Sequence, residues 1–171
     1  VLNAPFTVHT LDAIMAGSEV GPQAGNGKYI RRLYESGFLS ISKEPLLNNA
    51  VTYIFKHEFE RLGISSLIAR DVRLKVYASA AQWYALNNLS GNFNETIGDL
   101  WRMQAELMLQ HEAQVPISPE CMLKAQSYYM EASHYYERVA YSYMARAQYV
   151  QARRMFKKLL KALPVDNLSR R

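Results

Sequence analysis

The chain has 171 residues, 49% hydrophobic and 20% charged, a balance that excludes a disordered or low-complexity chain. Its single cysteine excludes an internal disulfide and a four-thiolate zinc site, and no apolar run approaches the roughly 20 residues of a membrane span. The net charge of +5 is unevenly spread: residues 138–171 hold nine Lys or Arg against Asp166, a balance of +8, while residues 1–137 hold eleven basic against fourteen acidic groups, a balance of −3.

In chain order, Thr7 or Thr10 is placed to cap a short helix through Leu11, Ile14 and Met15, which recur at helical spacing. The stretch "GSEVGPQAGNG" reads as a loop. "KYIRRLYES" reads as a helix with Ile30, Leu33 and Tyr34 on one side, stopped by Gly37. "FLSIS" alternates as a brief extended segment does. Pro45 fits the first turn of a helix that runs to about Leu62 and stops at Gly63. Residues 65–90, which lack Gly and Pro, predict one long helix capped by Ser65 or Ser66.

After "NNLSGN" a helix starts near Asn94 and carries Ile97, Leu100, Trp101, Leu107 and Met108. "QVPIS" breaks the chain. Ser118, Pro119 and Glu120 then combine an N-cap, a proline needing no donor, and an acid at the positive helix end. That helix runs to Arg146, and a last one ends at Pro164. Two hairpins are expected, 65–90 with 93–113 and 119–146 with 148–163. Their turns fall in two stretches of similar pattern, residues 91–103 and 147–159. The fold class is all-α, with a helical cap or small lobe over 1–63, helical hairpins over 64–166 and a frayed tail over 167–171.

Residues 133–164 resemble a tetratricopeptide repeat, an antiparallel helix pair that stacks into a superhelix. Tyr136 takes the large aromatic place, Val139 and Ala140 the apolar and small pair, and Tyr143 the next aromatic. Ala147 stands at the turn and Tyr149 after it. Ala152, Phe156 and Leu159 form the stripe of the second helix, and Pro164 closes the repeat. Gly91, Phe93, Thr96, Leu100 and Met103 fit a second turn and helix less fully, since Tyr84 occupies a small-residue place. The resemblance implies a short solenoid whose groove holds a peptide or helix of a partner.

On the last helix an apolar row of Tyr149, Ala152, Phe156, Leu159 and Leu163 stands against Arg153, Arg154, Lys157, Lys158 and Lys161, with Arg146 before the turn. These six cations are the candidate binding residues, and an acidic peptide or helix is the expected partner. They also suit a helix C-terminus on a solvated face. The first helix, its loop, "KYIRRLYES", Gly37 and "FLSIS" resemble a winged helix-turn-helix, which implies that Lys28, Arg31 and Arg32 face DNA. The connection of about ten residues exceeds the usual three or four, and the preferred reading of this part is a cap on the helical stack.

Metal and catalytic readings are thin. Glu131 and His134 form a single Glu-x-x-His, with His57, Glu58, Glu60, Glu106 and His111 as further donors, where a di-iron bundle needs two such motifs. "GPQAGNGK" lacks the Ser or Thr and the strand of a phosphate loop. Cys121 reads as packing and as a sign of a reducing, intracellular compartment, and a chain starting at Val1 reads as processed or excised. The expectation is a non-enzymatic interaction scaffold without cofactor, catalytic residue or metal, with a nucleic-acid-binding helical protein as the alternative.

Overall fold

A computed structural model describes residues 4–18, 26–42, 50–88, 90–110 and 117–163. Among these the chain is helical apart from one two-stranded sheet. The order is α1 (Val8–Gly17), α2 (Asn26–Glu35), β1 (Leu39–Ile41), β2 (Tyr53–Phe55), α3 (Glu58–Ser66), α4 (Arg70–Leu86), α5 (Asn94–Leu109), α6 (Pro119–Ala145) and α7 (Tyr149–Ala162). Two compact units divide within α4: unit 1 is Val1–Trp83 and unit 2 is Tyr84–Arg171. The expected loop after Gly17, the breaks at Pro45 and Pro116, His111, Pro164 and the tail lie wholly or mostly outside the described residues.

Unit 1 starts as the sequence predicts. Thr7 caps α1, its hydroxyl accepting from the Thr10 amide at 3.0 Å. β1 and β2 pair antiparallel, with Leu39 opposite Phe55 and Ile41 opposite Tyr53. The chain just before α1 adds a bridge on the other edge of β2, where Phe6 and Tyr53 exchange amide-to-carbonyl bonds of 2.9 and 2.7 Å. Phe6 packs its ring between those of Tyr53 and Phe55, with centroids 6.4 and 6.3 Å away. The helix expected from Pro45 to Leu62 is therefore corrected. "VTYIF" is a run of β-branched and aromatic residues, and it completes the pairing that "FLSIS" begins.

The long helix expected over 65–90 is also corrected. Gly63 lies inside α3 and does not stop it, and α3 ends at Ser66. The Ser66 hydroxyl donates to the Gly63 carbonyl at 2.7 Å, and the Leu67 and Ile68 amides bond back only three residues. This tightened turn ends the helix without Gly or Pro. α4 then restarts at Arg70, and its Ser79 hydroxyl, buried, donates 2.7 Å to the Ile14 carbonyl of α1.

In unit 2, α6 packs against both α5 and α7. α6 opens as expected, with the Ser118 hydroxyl accepting from the Cys121 amide at 3.2 Å and Pro119 in the first turn. Ala132, Tyr136, Ala140, Met155 and Ala162 form a buried cluster that Trp101, Tyr143, Phe156 and Leu159 flank. Small residues on α6 and α7 bring the helices close, and Tyr136, fully buried, fills the space between them. The expected stripe of α7 is shifted. Tyr149 is 63% exposed and Leu163 40%, while Met155, absent from the expected row, is 1% exposed.

Both chain reversals fall where the two similar stretches place them. Gly91 has φ +77° and Ala147 φ +57°. After α6 the Gln148 amide bonds the Tyr143 carbonyl and the Ala147 amide the Met144 carbonyl, at 2.9 and 3.0 Å, a Schellman stop with alanine in the left-handed position. Before α5 the Asn88 side chain holds the turn. Its oxygen accepts from the Phe93 amide at 2.9 Å, and its nitrogen donates to Asn94 Oδ1 at 2.6 Å. Tyr84, fully buried where the repeat pattern wants a small residue, meets Phe93 edge-on at 5.2 Å.

Candidate functional site

Two cationic helix faces stand out, one in each unit. In unit 1, α2 buries Asn26 and Ile30, with Leu33 half-buried. Asn26 Nδ2 donates to Asp12 Oδ1 of α1 at 2.6 Å, which fixes the start of α2 against its neighbour. The end is fixed by a second Schellman stop: Phe38 and Gly37 donate to the Leu33 and Tyr34 carbonyls, with Gly37 at φ +82°. At 100° per residue, Lys28, Arg31 and Arg32 then fall opposite the buried row, and all three are exposed. The expected Tyr34 contact to the core is only partial, since Tyr34 is 43% exposed and leans edge-on against Tyr53.

In unit 2, α7 presents Val150, Arg153, Arg154, Lys157, Lys158 and Lys161 along one side, and these six line a surface depression of about 450 Å³. Five of the six cations singled out in the sequence thus come together. Arg146 is apart from them. It lines a second cleft of about 290 Å³ with Asn92, Asn94, Glu95, Ser142 and Tyr143.

The five cations of α7 do different work. Lys158 is held by α5: its Nζ donates to both Asp99 oxygens, at 2.7 and 2.8 Å, and to Glu95 Oε1 at 2.9 Å. Arg154 also pairs with Glu95. Arg153, Lys157 and Lys161 are exposed and form no ion pair with any described residue. The expected uniform basic face therefore has a neutralised edge and an open row.

Asp99 is the centre of the neutralised edge. The Tyr136 hydroxyl donates to its Oδ1 at 2.7 Å, and Arg102 Nε donates to the Tyr136 oxygen at 3.2 Å. Arg102 is in turn paired with Glu106 at 2.5 Å. One carboxylate thus joins α5, α6 and α7, and Lys158 Nζ also sits 5.4 Å from the Tyr136 ring centre.

Burial and the adjacent Asp99 charge hold the Tyr136 phenol well above its ordinary value, and burial does the same for Tyr84. Both groups stabilise the fold fully below the unfolded phenol value of about 10, and the stability is lost as pH rises above it, because the unfolded chain sheds protons that the folded chain keeps. Urea unfolding of unit 2 is expected to weaken by up to about 2.7 kcal/mol per pH unit above pH 10, and Tyr136→Phe to remove about half of that slope. An unchanged slope in Tyr136→Phe would contradict the assignment.

Glu131 and His134 are exposed on α6, Glu106 is taken by Arg102, and His57 and Glu58 belong to unit 1. Among the described residues no three His, Cys, Asp or Glu side chains gather where a metal would sit, and no helix is long and apolar enough to cross a membrane.

Comparison with protein-family models, curated proteins and solved structures gives no match. Sequence reasoning missed the Asp99 network. Its signal was present as Glu95 and Asp99 one helical turn apart, with Gly98 beside them in a helix interior where glycine has no local benefit.

Proposed function

We propose that the chain is a non-enzymatic DNA-binding protein in which unit 1 contacts the duplex and unit 2 is a helical interaction scaffold. The observation that carries the first part is the arrangement around α2. A helix, a connection, a second helix with a basic outer face and a β-hairpin follow in order, and the segment before the first helix closes the far edge of that hairpin. These are the elements that carry the resemblance to a winged helix-turn-helix. It supports α2 as the helix that enters the major groove, with Lys28, Arg31 and Arg32 reaching phosphates and base edges. The connection of α1 to α2, from Ser18 to residue 25, is longer than in the simplest helix-turn-helix, yet the Asn26–Asp12 bond and the buried Ile30 seat α2 on α1 without a short turn.

The scaffold part rests on the α6–α7 hairpin and the resemblance of residues 133–164 to a tetratricopeptide repeat. The open cationic row of α7 favours an acidic partner.

Selection from a pool of random duplexes, followed by titration at several salt concentrations, tests the DNA reading. The chain is expected to bind duplex with a logarithmic salt slope no steeper than about −3, the limit when all three cations neutralise phosphates. Lys28→Gln, Arg31→Gln and Arg32→Gln together are expected to weaken binding about a hundredfold or more while leaving the circular dichroism unchanged. No retention of any duplex at low salt sinks the reading. So does full retention by the triple variant.

A further inference from the structure

The open row on α7 has a geometry of its own, and we propose that it docks an acidic helix of a partner protein, crossing over α7 with one carboxylate on each of Arg153, Lys157 and Lys161 and an apolar side chain on Val150. This rests on the scaffold half of the proposed function and not on its DNA half.

Four observations carry it. First, the three cations recur every four residues, so each step rises about 6 Å and turns about 40°, and the row forms a ridge about 12 Å long inclined to the axis of α7. A second α-helix with carboxylates four residues apart carries the same inclined ridge, and the two ridges run side by side when the helices cross at about 50°, which lets the long side chains of all three pairs meet. Second, Arg154 and Lys158, which line the same depression, are held by Glu95 and Asp99. They flank the row as an edge whose charge is already met, which leaves the positive field concentrated on the three outer residues. Third, Val150 is 81% exposed at the N-terminal end of the row and lines the same depression. A phosphate backbone offers nothing to cover a valine, whereas an amphipathic helix carries an apolar residue within one turn of its acids. Fourth, the opposite face of α7 is firmly seated through Ala152, Met155 and Ala162, each 1% exposed, so α7 meets a partner without having to rearrange.

Charge complementarity of this kind sets specificity and orientation more than raw affinity. The order of the row also sets a direction. Val150 stands beyond Arg153, so the apolar side chain of the partner lies at the end of its acidic run and not within it.

The test uses the full chain and three labelled probes. One is an amidated, acetylated helix-forming peptide with three glutamates spaced four apart and a leucine one turn beyond. The second has the same composition with the glutamates scrambled off that face. The third is a short duplex DNA. Fluorescence anisotropy is expected to show the ordered peptide binding about tenfold or more tighter than the scrambled one. Arg153→Gln, Lys157→Gln and Lys161→Gln together are expected to erase that preference, and all three positions are exposed, so the fold survives the change. Duplex affinity is expected to be unaffected by this variant and to be lost in the Lys28, Arg31 and Arg32 variant, which separates failure of the docking proposal from failure of the DNA reading. Equal binding of the two peptides overturns the proposal, because net charge alone would then account for it. A loss of duplex affinity in the α7 variant, with the peptide preference intact or absent, also overturns it and makes the row a phosphate-binding surface.

Discussion

Gly98→Val is expected to unfold unit 2 at a temperature more than about 10 °C below that of the parent chain, at a cost of about 3 kcal/mol. A Cβ on Gly98 would lie 2.9 and 3.1 Å from ring carbons Cε1 and Cδ1 of Tyr136 and 3.3 Å from the Ala132 carbonyl oxygen. Neither obstacle can yield easily. The carbonyl belongs to the α6 backbone, and the Tyr136 ring is fully buried with its hydroxyl fixed between Asp99 and Arg102. The side chain therefore has to push α5 away from α6, which also lengthens the Asp99 bonds. Gly98→Ala sets the same clash against a helix-propensity gain of about 1 kcal/mol, so a smaller loss is expected there. The chain has one tryptophan in each unit, Trp83 and Trp101, and single-tryptophan variants let a thermal melt report the units separately. A Gly98→Val protein whose Trp101 melt is unshifted would mean that the helices do not approach this closely.

Asp99→Ala is expected to cost unit 2 about 2–4 kcal/mol. The charge pair is not fully dry, since the side chains of Lys158 and Asp99 are 24% and 12% exposed, and the cost is set below that of a wholly buried pair for that reason. The loss arises less from missing attraction than from what is left behind. Among the described carboxylates Lys158 retains Glu95, which it shares with Arg154, and the Tyr136 hydroxyl loses its acceptor inside the core. Asp99→Asn keeps an oxygen for Tyr136 but not the charge for Lys158, and an intermediate loss is expected. A double-mutant cycle with Lys158→Met isolates the pair. If Asp99→Ala and the double variant lie equally close to the parent chain in urea, the network holds nothing together. The same cycle bears on the α7 surface, because without Asp99 the Lys158 side chain no longer forms a fixed edge beside the open row.

Much of the all-α architecture is legible in order along the chain. Thr7, Gly37, Ser118 and the two reversals at Gly91 and Ala147 act through backbone geometry within a few residues, so their signals are local. Where the reading fails, the deciding partner is distant or the deciding bond is silent in composition. "VTYIF" becomes a strand because Leu39–Ile41 and Phe6 pair with it on either edge. α3 stops at Ser66 through a hydroxyl bond and a tightened turn, neither of which Gly or Pro announces. Tyr149, expected in the apolar row of α7, is exposed, and Met155 is buried because Ala132, Tyr136 and Ala140 of α6 lie against it.

The candidate site divides in the same way. The amino-acid order alone determined that α2 and α7 carry cations on faces opposite their apolar rows, since helical periodicity places side chains around an axis without reference to anything else. Tertiary structure decided which of those cations are open. Asp99 and Glu95 lie some sixty residues before Lys158 and Arg154, and only packing of α5, α6 and α7 into one stack brings opposite charges within bonding distance. A charge is a property of its residue; whether that charge is spent depends on what the fold sets beside it.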